Sequence, residues 1–129
     1  MMKRIPGFRR SIIRPELRSL TGQTGEDVSD LFPISGCFNH TLLAEIGPQG
    51  MAGADEFQFE VCSPEWLERE LDSYLILPGG PRLITKRFEP KTIEEYVQKR
   101  LLHAVGADWA SVAAKLGQWS RWEFDNYQD

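Results

Sequence analysis

The sequence contains few cysteines and histidines, from which many catalytic and metal sites are built. Its 129 residues include two cysteines, Cys37 and Cys62, and two histidines, His40 and His103. None of them occurs in a CxxC or HExxH pattern, so the spacings typical of metal sites are missing. The sequence also contains no P-loop and no GxGxxG pattern. We therefore expect no metal, no cofactor and no catalytic residue.

Long hydrophobic runs are also absent. No apolar segment approaches the roughly 20 residues that are needed to cross a bilayer. The basic N-terminus MMKRIPGFRRSIIR lacks the apolar region of a signal peptide. Two reduced cysteines fit the cytoplasm, which is the predicted location, with no contact to a membrane. The length predicts a single domain over residues 1–129, in which residues 1–11 form a flexible basic arm.

Basic residues are scarce beyond the first 18 positions. Residues 1–18 hold six basic side chains and one acidic one, whereas residues 19–129 hold nine basic and eighteen acidic side chains. The net charge of −4 therefore conceals an acidic body. Such a body disfavours nucleic acid as a ligand and favours a basic partner. An acidic surface that serves only solubility is the alternative.

Two strand-like segments flank the glycine-rich stretch GPQGMAGAD. In EFQFEV, residues 56–61, the two phenylalanines and the valine share one face. The segment FNHTLLAEI, residues 38–46, alternates less regularly. Together they predict an antiparallel hairpin with one solvent-exposed face. We predict a first strand over residues 12–20 and a fourth over RLITKRFE, residues 82–89, in which Ile84 and Phe88 share one face.

Three helices are predicted from capping residues. Ser63 and Pro64 begin the first, the capping box TIEE at Thr92 begins the second, and Asp108 begins the third. Because the strands precede most of the helices, the fold class is α+β. We expect a single antiparallel sheet of about four strands with two or three helices packed on one face. The first helix carries an apolar stripe that we expect to face the core: Trp66, Leu67, Leu71, and Tyr74 or Leu75.

Cys62 stands at the end of a predicted strand and just before a predicted helix, a common place for a reactive thiol. A nucleophilic cysteine needs a base, normally a histidine, and neither His40 nor His103 forms a recognisable motif with it. Its position in the alternation favours the solvent-exposed face of the strand. A packed, inert thiol is nevertheless the favoured interpretation.

The four tryptophans fall into two pairs. Trp66 and Trp109 lie on predicted helices and are expected in the core. Trp119 and Trp122 lie near the end of the chain beside charged residues, where an exposed aromatic side chain is a good interface anchor.

Two segments of the chain carry a recognisable pattern: EIGPQGMAGADEFQFEVCSPEWL, residues 45–67, and ADWASVAAKLGQWSRWEFDNYQD near the end. The first resembles a signature of the immunity protein 8 family of bacterial polymorphic toxin systems, and the second resembles the closing pattern of that family. The resemblance covers residues 15–127. The residues that match the family pattern are Gly47, Pro48, Phe57, Phe59, Cys62, Pro64, Trp66, Leu67, Trp122, Glu123 and Phe124.

The resemblance implies a cytoplasmic protein that binds and neutralises a cognate toxin C-terminal domain, without catalysis or a cofactor. It also implies that most matching residues, Cys62 among them, are scaffold. The acidic body suits a basic toxin such as a nuclease, and we expect the immunity protein to block the active site of that toxin. We expect the immunity protein itself to be a monomer or a weak homodimer. The candidate partner-binding residues are exposed acids and aromatics: Glu56, Glu60, Glu65, Glu68, Asp72, Trp119, Trp122, Glu123, Asp125 and Tyr127.

Two other functions stay open at this point. A structural or assembly protein would associate with itself through the tryptophans. A small cysteine- or carboxylate-dependent enzyme would need a deep pocket with a titratable group of shifted pKa.

Overall fold

A five-stranded, mostly antiparallel sheet organises the chain. The structure, a computed structural model, describes residues 12–125, so the predicted basic arm and Tyr127 lie outside the described residues. Its strands are β1 Pro15–Gly22, β3 Asn39–Pro48, β4 Asp55–Cys62, β5 Arg82–Ile84 and β7 Arg121–Trp122. They pair in the order β1, β3, β4, β5, and β7 also pairs with β4.

The central hairpin confirms the prediction from the alternating segments. β3 and β4 pair antiparallel from Asn39 opposite Cys62 to Ile46 opposite Asp55. On the far side of β4, β7 pairs antiparallel with the beginning of the strand, and β5 pairs parallel with its end. A second, two-stranded sheet consists of β2 (Ile34–Ser35) and β6 (Arg87–Phe88).

The core lies between one face of the large sheet and two helices, α2 (Pro90–Leu102) and α3 (Trp109–Leu116). Within β4, Phe57, Phe59 and Val61 are fully buried, as their alternation predicts. The α+β class with helices on one face of the sheet is therefore confirmed. The helical residues that meet this face are Ile93, Val97, Leu101, Val112, Ala113 and Leu116.

The first helix, α1 (Pro64–Ser73), does not contribute to the core. None of its residues is buried, and Leu71, Tyr74 and Leu75 are 48%, 58% and 97% exposed. The prediction of an inward apolar stripe is therefore wrong for these residues. The physical reason is that α2 and α3 already cover the apolar face of the sheet.

The predicted helix starts are confirmed for α1 and α3 and wrong for α2. Ser63 Oγ accepts a hydrogen bond from the Trp66 N–H, and Asp108 accepts one from the Ser111 N–H. In contrast, α2 begins at Pro90, with Glu89 as an N-cap that makes no side-chain hydrogen bond. Proline at the first turn presets the helical φ, so the helix starts before the capping box is reached.

The predicted fourth strand is in fact two short strands in different sheets. β5 pairs with β4, whereas β6 pairs with β2. Between them Thr85 Oγ1 donates a hydrogen bond to the Arg87 carbonyl, 3.1 Å away, which turns the chain. Ile84 is consequently 59% exposed while Phe88 is fully buried, so the two do not share a face.

Candidate partner-binding surface

The predicted partner-binding acids fall into two groups at opposite ends of β4. Glu56 lies near the beginning of the strand, beside Glu123. Glu65, Glu68 and Asp72 lie on α1, which begins two residues after the strand ends. The structure therefore does not gather all candidate acids into one site.

The first group forms an acidic patch on the solvent-exposed face of the sheet. Glu45 lies directly opposite Glu56 in the β3–β4 ladder. The backbone N–H of Glu56 donates to Glu123 Oε2 at 3.2 Å, and the Glu123 N–H donates to the Glu56 carbonyl at 3.0 Å. We call Glu45, Glu56 and Glu123 the acidic strand patch.

None of the three glutamates forms an ion pair within residues 12–125, where the ion pairs are Arg18–Glu16, Arg82–Glu60 and Arg87–Glu89. Like charges directly opposite each other in a sheet are destabilising. The folded chain therefore carries an electrostatic cost at this patch. Glu45 was not predicted as a site residue; its signal was its place on the polar face of the alternating strand.

Trp122 lies next to this patch but is half-buried. Its ring stacks on Phe57 with a centroid separation of 6.5 Å, and its Nε1–H donates to Asp55 Oδ2 at 2.9 Å. The same oxygen accepts a hydrogen bond from Trp109 Nε1 at 2.7 Å. Asp55 thus positions the beginning of the patch, a role that its sequence context did not indicate.

Glu60 is not a free acid. Its Oε1 accepts a hydrogen bond from Asn39 Nδ2 at 2.6 Å, and its Oε2 lies 3.5 Å from Arg82 Nη2. The guanidinium of Arg82 also lies 5.5 Å from the centre of the Trp66 ring. These contacts neutralise Glu60 and join β4, β5 and α1, so Glu60 has a structural role that the prediction missed.

Trp119 is not on the surface. It is 5% exposed and meets Phe59 edge to face, with ring centroids 5.3 Å apart. The expectation that it is an exposed anchor is wrong, because the turn after α3 directs it under the sheet rather than away from it. Asp125 is exposed at the end of the described residues, beyond which Tyr127 lies.

The second acidic group borders a run of exposed apolar side chains. Leu71, Tyr74, Leu75 and Ile76 are 48%, 58%, 97% and 82% exposed. We call these four residues the apolar segment. The sequence did not predict that the apolar segment is a surface, because the spacing of its residues after Trp66 and Leu67 is also that of a helix face packed on a core.

The chain matches the family model of immunity protein 8 over residues 16–127. The chain belongs to the immunity protein 8 family. No curated protein and no solved structure matches it. Membership makes the chain an immunity protein of a toxin system, for which a surface that binds a toxin partner is the expected functional site.

Cys62, one of the residues that resemble the family pattern, is fully buried. The expectation that it faces solvent is therefore wrong, because the last residues of β4 are covered on both faces. Burial raises the pKa of the thiol, the positive charge of Arg82 opposes this, and the negative charge of Glu60 adds to it. Since the thiolate is the nucleophile, this environment suits a packed thiol.

The groove beside β5 is not lined by any of the carboxylates whose pKa is shifted. A groove of about 400 Å³ lies between β5 and α2, lined by residues that include Leu83, Ile84 and Tyr96 but not Cys62. Within residues 12–125, the carboxylates with a shifted pKa are Glu26, Asp27 and Asp108, and all three are exposed. Hydrogen bonds that they accept from Thr24, Ser29 and Ser111, respectively, lower their pKa values.

The described part of the chain holds no group of three or more metal-ligating side chains. It also has no helix of the length and apolar character that crossing a membrane requires.

Proposed function

We propose that this immunity protein binds and neutralises a basic toxin domain, such as a nuclease, by covering its active site. The observation that carries the proposal is the acidic strand patch, in which Glu45 and Glu56 face each other and neither forms an ion pair with a residue between 12 and 125. The protein acts in the cytoplasm by binding, without catalysis of its own. Membership of the immunity protein 8 family supports the role of toxin partner.

The chemistry of a nuclease explains the choice of partner. A nuclease holds phosphates with basic side chains, and carboxylates placed over that site compete with the nucleic acid. Unpaired carboxylates also steer a basic protein toward the patch and raise the association rate, an effect that salt weakens. The α1 acids Glu65, Glu68 and Asp72, together with Asp125, extend the negative field beyond the patch.

The test begins with the tagged protein in its native cells, washed at low and at high salt, with captured proteins identified by mass. We expect the C-terminal domain of a large secreted protein in stoichiometric amount. The association rate of that purified domain is then measured with E45Q/E56Q and with the control E94Q/E95Q. The control removes the same charge from exposed positions of α2.

We expect E45Q/E56Q to slow association by about threefold or more at low salt, and E94Q/E95Q to change it much less. Equal effects of the two variants would show that only net charge matters and would remove the patch from the proposal. Capture of no toxin domain from cells that express one would overturn the proposed function itself.

A further inference from the structure

The side chains of the apolar segment lie exposed on the surface of the part of the chain that the structure describes. Leu75 and Ile76 are 97% and 82% exposed, and α1 buries none of its residues. Scattered single apolar residues are normal on a protein surface, but four large ones within six positions form a patch. Such patches mark interaction sites in stable soluble proteins.

The segment is held at both ends by hydrogen bonds. The Tyr74 N–H donates to the Glu70 carbonyl at 2.9 Å and ends α1. Beyond the segment, Arg82 Nη1 donates to the Pro78 carbonyl at 2.6 Å. Arg82 also contacts Glu60 and Trp66, so one side chain ties the following loop to the sheet and to α1. A backbone tethered at both ends loses less conformational entropy on binding than an untethered loop of the same length would.

The border of the segment is acidic. Glu68, Leu71 and Asp72 are at helical spacing i, i+3 and i+4, so the two acids flank the leucine on one side of α1. The helix carries four acids and one cation, Arg69, and none of them forms an ion pair within residues 12–125. An apolar centre with an acidic border fits a protein surface with an apolar centre and a basic border.

We infer that the apolar segment is the central contact for the toxin domain, with Leu75 and Ile76 as its anchors. This inference rests on the proposed function and adds the residues that supply the affinity. The partner is a folded protein surface that presents an apolar pocket bordered by lysine or arginine. The acidic strand patch, at the other end of β4, then governs mainly the association rate.

The test compares two double variants that each replace two exposed apolar residues by serine. L75S/I76S removes the anchors, and F32S/L102S removes Phe32 and Leu102, which are 84% and 75% exposed elsewhere. Because all four positions are exposed, both variants should fold, which circular dichroism and urea unfolding check. The dissociation constant of each for the purified toxin domain is measured by calorimetry, and the oligomeric state by sizing.

We expect L75S/I76S to bind about 30-fold or more weakly, mainly through faster dissociation, and F32S/L102S to bind as the unmodified chain does. If L75S/I76S binds with unchanged affinity, the inference fails while the proposed function stands. A dimer that L75S/I76S dissociates without loss of toxin affinity would also overturn it, since the segment would then join two copies. If the unmodified chain binds no toxin domain, the proposed function fails and the inference with it.

Discussion

Asp55 and Trp122 are joined across 67 positions of the chain by a hydrogen bond of 2.9 Å between the indole Nε1 and the carboxylate Oδ2. The same oxygen accepts the indole N–H of Trp109 at 2.7 Å. One carboxylate therefore holds both α3 and the last strand against the beginning of β4. The acidic strand patch is built on that junction, because Glu56 follows Asp55 in β4 and Glu123 directly follows Trp122, the last residue of β7.

Replacing Asp55 by alanine should loosen the end of the chain. D55A leaves two half-buried indole N–H groups without their acceptor, so we expect the free energy of unfolding to fall by about 2 kcal/mol. Urea unfolding followed by tryptophan fluorescence measures this. The control D125A removes an exposed aspartate and should change stability by less than about 0.5 kcal/mol. Equal losses for D55A and D125A would contradict the structural role of Asp55.

Ser63 should matter more than an ordinary helix cap. Its buried Oγ accepts hydrogen bonds from the N–H of Trp66 at 3.2 Å and from the N–H of Phe38 at 3.1 Å. S63A leaves both donors unsatisfied, so we expect a loss of about 2 kcal/mol in the free energy of unfolding. S73A, at the exposed last position of α1, is the matched control and should be nearly neutral. The role assigned to Ser63 is wrong if both variants unfold at the same urea concentration.

The two cysteines should differ in reactivity toward a thiol reagent. Cys62 is fully buried and Cys37 is half-buried, so in the folded protein at pH 8 we expect Cys37 to react first. Both should react when urea unfolds the chain. Faster modification of Cys62 than of Cys37 in the folded state would show that it is accessible and would revive a reactive role.

The raised pKa of Cys62 also predicts a pH dependence of stability. The native thiol keeps its proton where the thiol of the unfolded chain, with a pKa of about 8.5, loses it. Stability is therefore lost as the pH rises above the ordinary thiol pKa. We expect the urea midpoint to fall more between pH 7 and pH 9.5 in the unmodified chain than in C62A. If the urea midpoints of the unmodified chain and of C62A fall in parallel with pH, the pKa of the thiol is not raised in the folded protein. Because Cys62 has a structural role, we expect C62A to bind the toxin domain as the unmodified chain does.

Glu45 should lower stability while it helps binding. E45Q removes one of two glutamates that lie directly opposite each other, so we expect the free energy of unfolding to rise by a few tenths of a kcal/mol, about the size of one cross-strand pair. The association rate with a basic toxin should fall in the same variant. E95Q, on the exposed side of α2, is the control. An E45Q variant that is less stable than E95Q would contradict the proposed repulsion between Glu45 and Glu56.

Local sequence patterns were sufficient to predict much of the fold. The alternation around Phe57 and Phe59 predicted the hairpin and its buried face, and Ser63 and Asp108 were recognised as helix caps. Such features depend on residues within a few positions of each other, where the chain's geometry leaves few choices. The likeness to the immunity protein 8 family was also visible in the sequence, because it consists of short patterns in a fixed order.

Burial of the remaining apolar residues depended on contacts between distant residues. Leu71 and Leu101 both lie on helices, yet Leu71 is 48% exposed and Leu101 is 4% exposed. The sheet has one apolar face, and because α2 and α3 cover it, α1 does not pack there. No periodicity within α1 contains that information.

The sequence by itself determined the strands of the hairpin, two of the three helix caps, the acidic body and the family. Only the tertiary structure decided which of the acidic side chains form an ion pair. Glu56 and Glu60 occupy equivalent positions on the same strand face, but the parallel pairing of β5 places Arg82 opposite Glu60 and no cation opposite Glu56. The charge of a carboxylate is set by its own chemistry, whereas its neutralisation is set by residues that folding brings from elsewhere in the chain.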